Sequence, residues 1–550
     1  MTSNTQPQVG PSAKERKYDR QLRLWAASGQ AALEDARILL VNSGCGTVGV
    51  EALKNLVLPG IGHFTIYDPS IVTESDLGVN FFLDEESLGH SRAECCTNHL
   101  LELNPEVHGD WFPKADSHEA AECSDGSESK RIRTSNSPSD SVIVLQQLLE
   151  ALPAFTTVLY SLPINPEFQD MIEAYGDKNQ IPVFSAHSVG FYAYFNVKFP
   201  YTFPIVETHP STEATSDLRL LAPWKELTEF VDKITENFQE QEHHTHGHVP
   251  FVAILLYYLN VWKKDHDGLP PSTYPQKNEF RNMITQAMRT DNPEGGEENF
   301  EEAIAAVMRS LTAPSLPSDL KDIFDYLDEK SDTLVSSQWT VAKAIKVFYQ
   351  RHKCLPLTGS IPDMKAESNV YIELQGIYKR KAKADVDEVH EIAKSLKNGE
   401  CVSEEEVAIF CKNASFSKLI RVNSEDGVTL QQVAEKEAYN DELAQVTGMP
   451  LSLLPIYLCL KATSHVSTSS TSGIISAIHE LISPPGDQER LQNIATEVSR
   501  AAGSELHNIS AAVGGMLAQE MIKVTTRQYI PIDNTCIFDG ISSRCQILRL

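Results

Sequence analysis

Residues 36 to 68 read Ala36-Arg-Ile-Leu-Leu-Val41, Asn42-Ser43, Gly44-Cys-Gly46-Thr-Val-Gly49, a helix-forming run from Val50 to Leu58, and then His63-Phe-Thr-Ile-Tyr-Asp68. A short apolar run rich in β-formers, followed at once by three glycines at G-x-G-x-x-G spacing, is how a buried parallel strand feeds a phosphate-binding turn. One glycine permits the tight turn, one lets backbone N–H groups approach a phosphate, and one lets helix and strand pack closely. The second strand ends at Asp68, nineteen residues after Gly49, where an acid is placed to accept hydrogen bonds from a ribose. Gly44, Gly46, Gly49 and Asp68 are therefore the candidate nucleotide-binding residues. The pattern predicts a Rossmann-like α/β fold with a mainly parallel sheet.

Outward from this stretch, residues 1 to 13 are polar and expected to be disordered, and Lys14 to Ala32 predict one or two helices with Tyr18, Leu22 and Trp25 at helical spacing. After Asp68 comes an irregular stretch to Leu88, then a helix from about Ser91 to Leu103. Residues 114 to 140 shift to Ser, Glu, Asp, Lys and Arg, so a disordered insertion is expected there. Its basic run from Ser129 to Arg133 reads as solvated loop before it reads as a nuclear signal. Helix is expected near Val142 to Leu152 and Pro166 to Gly176, and strand at Thr156–Tyr160, Pro182–Ser185 and Gly190–Val197. This alternation predicts parallel strands with right-handed crossovers.

Beyond about Thr208, helical periodicity replaces the strand signals. Helices are predicted near Pro223–Glu236, Pro250–Lys263, Lys277–Arg289, Phe300–Leu311, Gln338–Tyr349, Asp385–Lys397, Glu404–Asn413, Pro455–Lys461 and Ile474–Leu481. The α/β signal returns with a small-residue helix, Ile509 to Val524, and two strands, Gln528–Ile532 and Thr535–Phe538. The expected organisation is an α/β domain of residues 14–207 and 496–550, split by an all-α insertion over 208–495.

The composition bounds what such a chain does. At 550 residues it exceeds one core, and 41% hydrophobic with 22% charged residues is globular usage. No apolar run of about 18 residues is present and the N-terminus carries no apolar segment, so no membrane association is expected and the location is read as cytosol or nucleus. The 10 cysteines form no Cys-x-x-Cys pair, which argues against a disulfide framework and a structural zinc. A net charge of −28 disfavours nucleic acid and suits a partner with basic surfaces.

Two stretches resemble a known family. Lys17-Tyr-Asp-Arg-Gln-Leu-Arg-Leu-Trp25 with Gly29-Gln30, the glycine turn, Leu53 to Gly62, Phe64 to Asp68 and Asn80-Phe-Phe-Leu83 are similar to the adenylation domain of ubiquitin-like modifier activating enzymes. Ala512 to Lys523 is similar to that family's returning helix. With the long helical insertion, the resemblance is closest to the regulatory half of the heterodimeric neddylation-type enzymes. It implies a catalytic partner subunit that holds ATP and Mg, a neddylation-type ubiquitin-like modifier, a conjugating enzyme, and a place upstream of cullin modification. The regulatory half of a sumoylation-type enzyme is the nearest alternative, and lacks the long insertion. An NAD(P)-dependent oxidoreductase would explain the turn and Asp68, but not Tyr18 to Trp25 or the C-terminal helix.

Adenylation followed by thioester formation requires an acid on Mg, cations on the phosphates and a thiolate. Against the active pattern, Ser70 stands where a second acid is expected, Val79 replaces an arginine in Asp76-Leu-Gly-Val-Asn80, Arg92 replaces a lysine, and Ser161-Leu-Pro163 lacks an acid. No cysteine sits in the nucleophile context, and Cys96-Thr97 reads as a packed thiol on a helix. The chain is thus expected to bind no cofactor firmly, with its own nucleotide pocket vestigial. Arg20 of the Tyr-x-Arg-Gln motif resembles a finger that reaches the triphosphate in the partner's site, the alternative being a surface pairing with Asp19 or Glu15.

Trp339, Ala342, Ile345 and Phe348 recur every three residues as an apolar stripe, which is a candidate partner-binding ridge if exposed and core if buried. His243, His244, His246 and His248 carry imidazoles suited to zinc or nickel, but lie without cysteines in a Glu/Gln-rich turn that reads as solvated loop, so no metal site is expected. Asn508-Ile-Ser510 fits a glycosylation pattern that an intracellular chain does not use.

Overall fold

The computed structural model describes residues 12–114, 138–151, 154–211, 217–290, 295–312, 315–330, 334, 336–397, 399–422, 427–465 and 470–550. Nearly all of the two segments expected to be disordered, 1–13 and 114–140, falls outside these residues, including Ser129 to Arg133. Of the described remainder, Ser12 caps a short helix, Ala13–Lys17, and Pro138 begins the helix Pro138–Ala151. The chain divides into two compact units, Met1–Thr202 with Ile420–Leu550, and Phe203–Leu419.

The first unit is built on an eight-stranded sheet. Its strands are β1 (Arg37–Val41), β2 (His63–Tyr67), β3 (His108–Phe112), β4 (Thr157–Ser161), β5 (Val183–Val189), β6 (Tyr192–Lys198), β9 (Thr535–Asp539) and β10 (Arg544–Leu548), while β7 (Phe203–Val206) and β8 (Ser417–Ile420) form a separate two-stranded ribbon. The order is β10-β9-β6-β5-β4-β1-β2-β3, parallel from β3 to β5 and antiparallel from β5 to β10. Continuous apolar runs such as Ile38–Val41 and Val158–Tyr160 suit these central strands, which are covered on both faces. The chain reverses between β5 and β6 at Gly190, whose φ of 57° an L side chain adopts only with strain.

The helix after the glycines, Thr47–Val57, packs along the returning helix, His507–Thr526. Their contact is close because Gly514 has no side chain: a Cβ there would lie 2.8 Å from Glu51 Cβ and 2.9 Å from the Ala52 nitrogen. Two corrections to the sequence reading follow. Residues 528–532 form no strand; the Gln528 and Tyr529 side chains donate to the carbonyls of Trp25 and Leu24, and the Ile532 N–H donates to Glu520. The expected domain boundary at 495 also fails, because Ile420 to Ala495 fold with the α/β unit. Leu454–Ala462, Thr471–Leu481 and Gln488–Ala501 contribute Leu458, Ile478, Leu491, Ile494 and Val498 to the same core as Val158, Tyr160 and Tyr194. Helical periodicity marks the first two of these segments as helices but not which core their stripes cover, and the third, Gln488–Ala501, is not among the predicted helices.

The second unit is helical, with the β7–β8 ribbon at its two chain ends. One of its cores gathers around the apolar helix Phe251–Asp265, another around Ser337–His352. A 28-residue helix, Ser368–Ser395, gives Leu374, Ile377 and Tyr378 to the first and Val389, Ile392 and Ala393 to the second. The stripe Trp339, Ala342, Ile345 and Phe348 is exposed by only 3%, 1%, 1% and 1%. It is core rather than a docking ridge, since burying large apolar side chains in their own unit leaves nothing to offer a partner. No described helix is long and apolar enough to cross a membrane.

Candidate functional site

At the C-terminal end of β1, Gly44 and Gly46 adopt φ of 62° and 66°, and Gly46 precedes the helix Thr47–Val57. A Cβ on Gly46 would overlap the Asn42 side chain at 2.1 Å, and one on Gly49 would meet Leu40 at 2.8 Å. The glycines therefore make the tight turn and the close helix–strand contact that their spacing predicts. Such a helix start presents unpaired N–H groups and the positive end of the helix dipole, a seat for an anion.

That seat is filled from within the chain. The N–H of Thr47 donates to Glu505 Oε1 at 3.2 Å and the N–H of Val48 donates to Glu505 Oε2 at 2.9 Å, while Ser510 Oγ donates to the same Oε2 at 2.5 Å. Glu505 is buried, and burial raises its pKa against the opposing pull of Ser510 and the two N–H groups. A phosphate on these N–H groups would have to displace a carboxylate that already satisfies them.

The ribose position is likewise engaged. Asp68 is 1% exposed and accepts from Arg92 Nε at 2.7 Å and Nη2 at 3.2 Å, from Asn42 Nδ2 at 3.0 Å and from the Ser70 N–H at 3.0 Å. Arg92 also donates to Asp76 Oδ1 at 3.0 Å. Burial alone would lower the Arg92 pKa, and the two carboxylates more than reverse this, so its charge is locked. Where the active pattern has an acid, Ser161 Oγ donates to Asn42 Oδ1 at 3.0 Å and accepts the Ser43 N–H at 2.7 Å. Gly44, Gly46, Gly49 and Asp68 thus do converge, but their polar partners are internal, and the residues present do not fit a bound nucleotide.

No activated thiol accompanies the site. All eight described free cysteines, among them Cys45 beside the turn and Cys96 near Asn80, are held above the ordinary thiol range, chiefly by burial. Cys96 is pushed up to about 12 and accepts from Asn80 Nδ2 at 3.5 Å.

Arg20 has the opposite environment. It lies on the helix Asp19–Glu34, whose entry is anchored by Tyr18: the buried phenol donates to Glu106 at 2.9 Å and accepts from Asn104 at 3.1 Å, while Lys17 bonds Asn104 at 2.8 Å. The helix is broken at Trp25–Ala26, where Ala26 has φ 56°. The two acids offered as surface partners for Arg20 are occupied elsewhere, Asp19 by Arg23 at 2.9 Å and Glu15 by the Ser12 N–H at 2.6 Å. Arg20 is exposed, and its side chain has no hydrogen bond or ion pair to the described residues.

The histidines do not converge on a metal. His246 is buried between the rings of Phe238 and Phe300, at 4.7 Å and 4.9 Å, with Nδ1 2.6 Å from Glu297 Oε1; burial lowers its pKa. It belongs to the helical core, which corrects the solvated-loop reading for this one residue. His244 stacks on His248 at 4.3 Å, and no group of three or more His, Cys, Asp or Glu among the described residues is placed to hold a metal ion.

Comparison with known proteins agrees with this arrangement of an adenylation fold. The ThiF family matches residues 18–550. A protein named NEDD8-activating enzyme E1 regulatory subunit from Xenopus laevis is 32% identical over 560 residues, covering 96% of this chain and 97% of its own. Its namesakes from Gallus gallus and Drosophila melanogaster are each 33% identical, covering 98% of this chain and 99% and 98% of theirs. The chain belongs to the ThiF family and, within it, to the regulatory subunits of NEDD8-activating enzymes.

Proposed function

We propose that the chain is the non-catalytic half of a heterodimeric enzyme that activates NEDD8, and that the catalytic partner carries MgATP, adenylates the modifier and then takes it as a thioester. The single observation that carries this is the contrast between an anion seat plugged by Glu505 and an Arg20 left exposed and unpaired. In this reading Arg20 is delivered in trans to the partner's triphosphate, where a fixed guanidinium stabilises charge that develops during transfer. The helical unit, 203–419, stands in the place of a catalytic-cysteine domain without the cysteine, and offers surface to the modifier and to the conjugating enzyme that acts next. The location that fits is cytoplasm and nucleus. Relatives named for NEDD8 activation leave the sumoylation and oxidoreductase readings without support.

The test is reconstitution. The chain alone, given MgATP and NEDD8, is expected to form neither adenylate nor thioester, and addition of the catalytic subunit to produce a thioester on that subunit. A thioester on this chain would overturn the reading.

A further inference from the structure

A cavity of about 570 Å³ lies in the α/β unit away from the glycine turn. Its floor is one face of β4, β5 and β6, with Tyr160, Ser185 and Tyr194, and its walls are the helices Pro166–Asn179 and Leu454–Ala462. The size is that of small-molecule sites, and the lining sets the rings of Tyr160, Tyr194 and Tyr457 beside the polar side chains of Gln169, Glu173, Asp177, Ser185 and Asn196. Two amines reach it. Lys198 lies between Glu173 at 3.2 Å and Asp177 at 3.1 Å. Lys461 is half-buried, and its side-chain amine has no hydrogen bond or ion pair to the described residues.

The groups around Lys461 give its charge little relief. Glu173, on the facing helix, attracts it from beyond ion-pair distance and is itself bonded to Lys198. His187 of β5 is buried and held neutral, its pKa lowered to about 3. Burial raises the phenols of Tyr160 and Tyr194 and pushes Tyr457 up to about 12, so all three stay uncharged. Burial lowers the Lys461 pKa. Burial that disfavours the ammonium raises the share of free amine, the form that attacks carbonyl groups.

We propose that Lys461 is a carbonyl-reactive amine and that the cavity in front of it admits small aromatic aldehydes, which it takes as imines. The neutral amine adds its lone pair to the carbonyl carbon, forming C–N as the C–O π bond breaks. The carbinolamine then loses its oxygen as water, taking both hydrogens of the amine, so the step is a condensation with no change of oxidation state. The rings of Tyr194 and Tyr457, 4.9 Å apart, offer a flat aldehyde an aromatic wall.

The full chain is treated with 4-hydroxybenzaldehyde and cyanoborohydride at pH 7, which reduces each imine to a stable secondary amine, and the sites are read by peptide mass spectrometry. Lys461 is expected to label at least about tenfold faster than Lys225, whose side chain is 89% exposed. A pyrene aldehyde too large for the cavity is expected to reverse that order. The pH profile of labelling at Lys461 is expected to break below that of Nα-acetyl-lysine, near its ordinary 10.4. Lys461→Arg is expected to abolish that adduct alone. Labelling of Lys461 no faster than Lys225, or a pH profile equal to that of free lysine, overturns the proposal.

Discussion

The glycine turn and the Tyr18–Trp25 segment belong to one α/β unit, and they treat charge in opposite ways. Around the turn, Asp68, Asp76, Arg92 and Glu505 are buried, and each meets its partners within the chain. On the two N-terminal helices, Lys17 pairs with Glu106 and Arg23 with Asp19, while the Arg20 side chain, exposed between them in sequence, does not pair. A buried charge must be compensated, because its desolvation costs several kcal/mol. An exposed one keeps its water and stays available. The comparison teaches that the signature which looks most like an active site is here closed by its own side chains, and that the guanidinium left exposed lies on the flank.

The widest effect expected is on Arg20. Arg20→Ala should lower adenylation of the modifier by the reconstituted heterodimer by about a thousandfold or more, the range of an arginine supplied in trans, while leaving the unfolding midpoint of the chain unchanged. Pyrophosphate exchange and urea titration measure the two arms, and full activity in the variant would break the comparison on its exposed side. Next in size is Arg92→Ala, which strands Asp68 and Asp76 in the interior. It should cost about 3–5 kcal/mol in urea unfolding, as loss of one member of a buried ion pair does. A cost under about 1 kcal/mol would show that the acids are hydrated and the pocket open.

The smallest effect concerns Glu505, and it is one of slope. Its folded pKa lies above the ordinary 4.5, so the folded chain holds that proton more tightly than the unfolded chain. The stabilisation this provides is complete below about 4.5 and is lost as the pH rises through the folded value. Glu505→Gln keeps the protonated shape, so its stability relative to wild type should improve as the pH rises above about 4.5, by at most about 1.4 kcal/mol per pH unit. Urea unfolding at pH 4, 6 and 8 reads this directly. A difference independent of pH would mean that the helix N–H groups hold the carboxylate ionised.

Sequence by itself determined the fold class and the family, because both rest on local rules. Strand, glycine turn, helix, strand and acid follow one another within 33 residues, from Ala36 to Asp68, and each step is set by backbone sterics or side-chain period. The departure of the site from the active pattern was also legible in part, through Ser70, Val79 and Arg92. What only the tertiary structure decided is what fills the site and which core each amphipathic helix joins. Glu505 lies more than 450 residues from the N–H groups it caps, and no motif marks a glutamate as a stand-in for phosphate. The helices predicted at Gln338–Tyr349 and Ile474–Leu481 both carry apolar faces, yet Trp339 and Phe348 are core to the helical unit and Ile474 and Ile478 to the α/β unit. Periodicity reports that a face must be buried; the partner that buries it, like the acid that closes an anion seat, is chosen by three-dimensional proximity, which spacing along the chain does not encode.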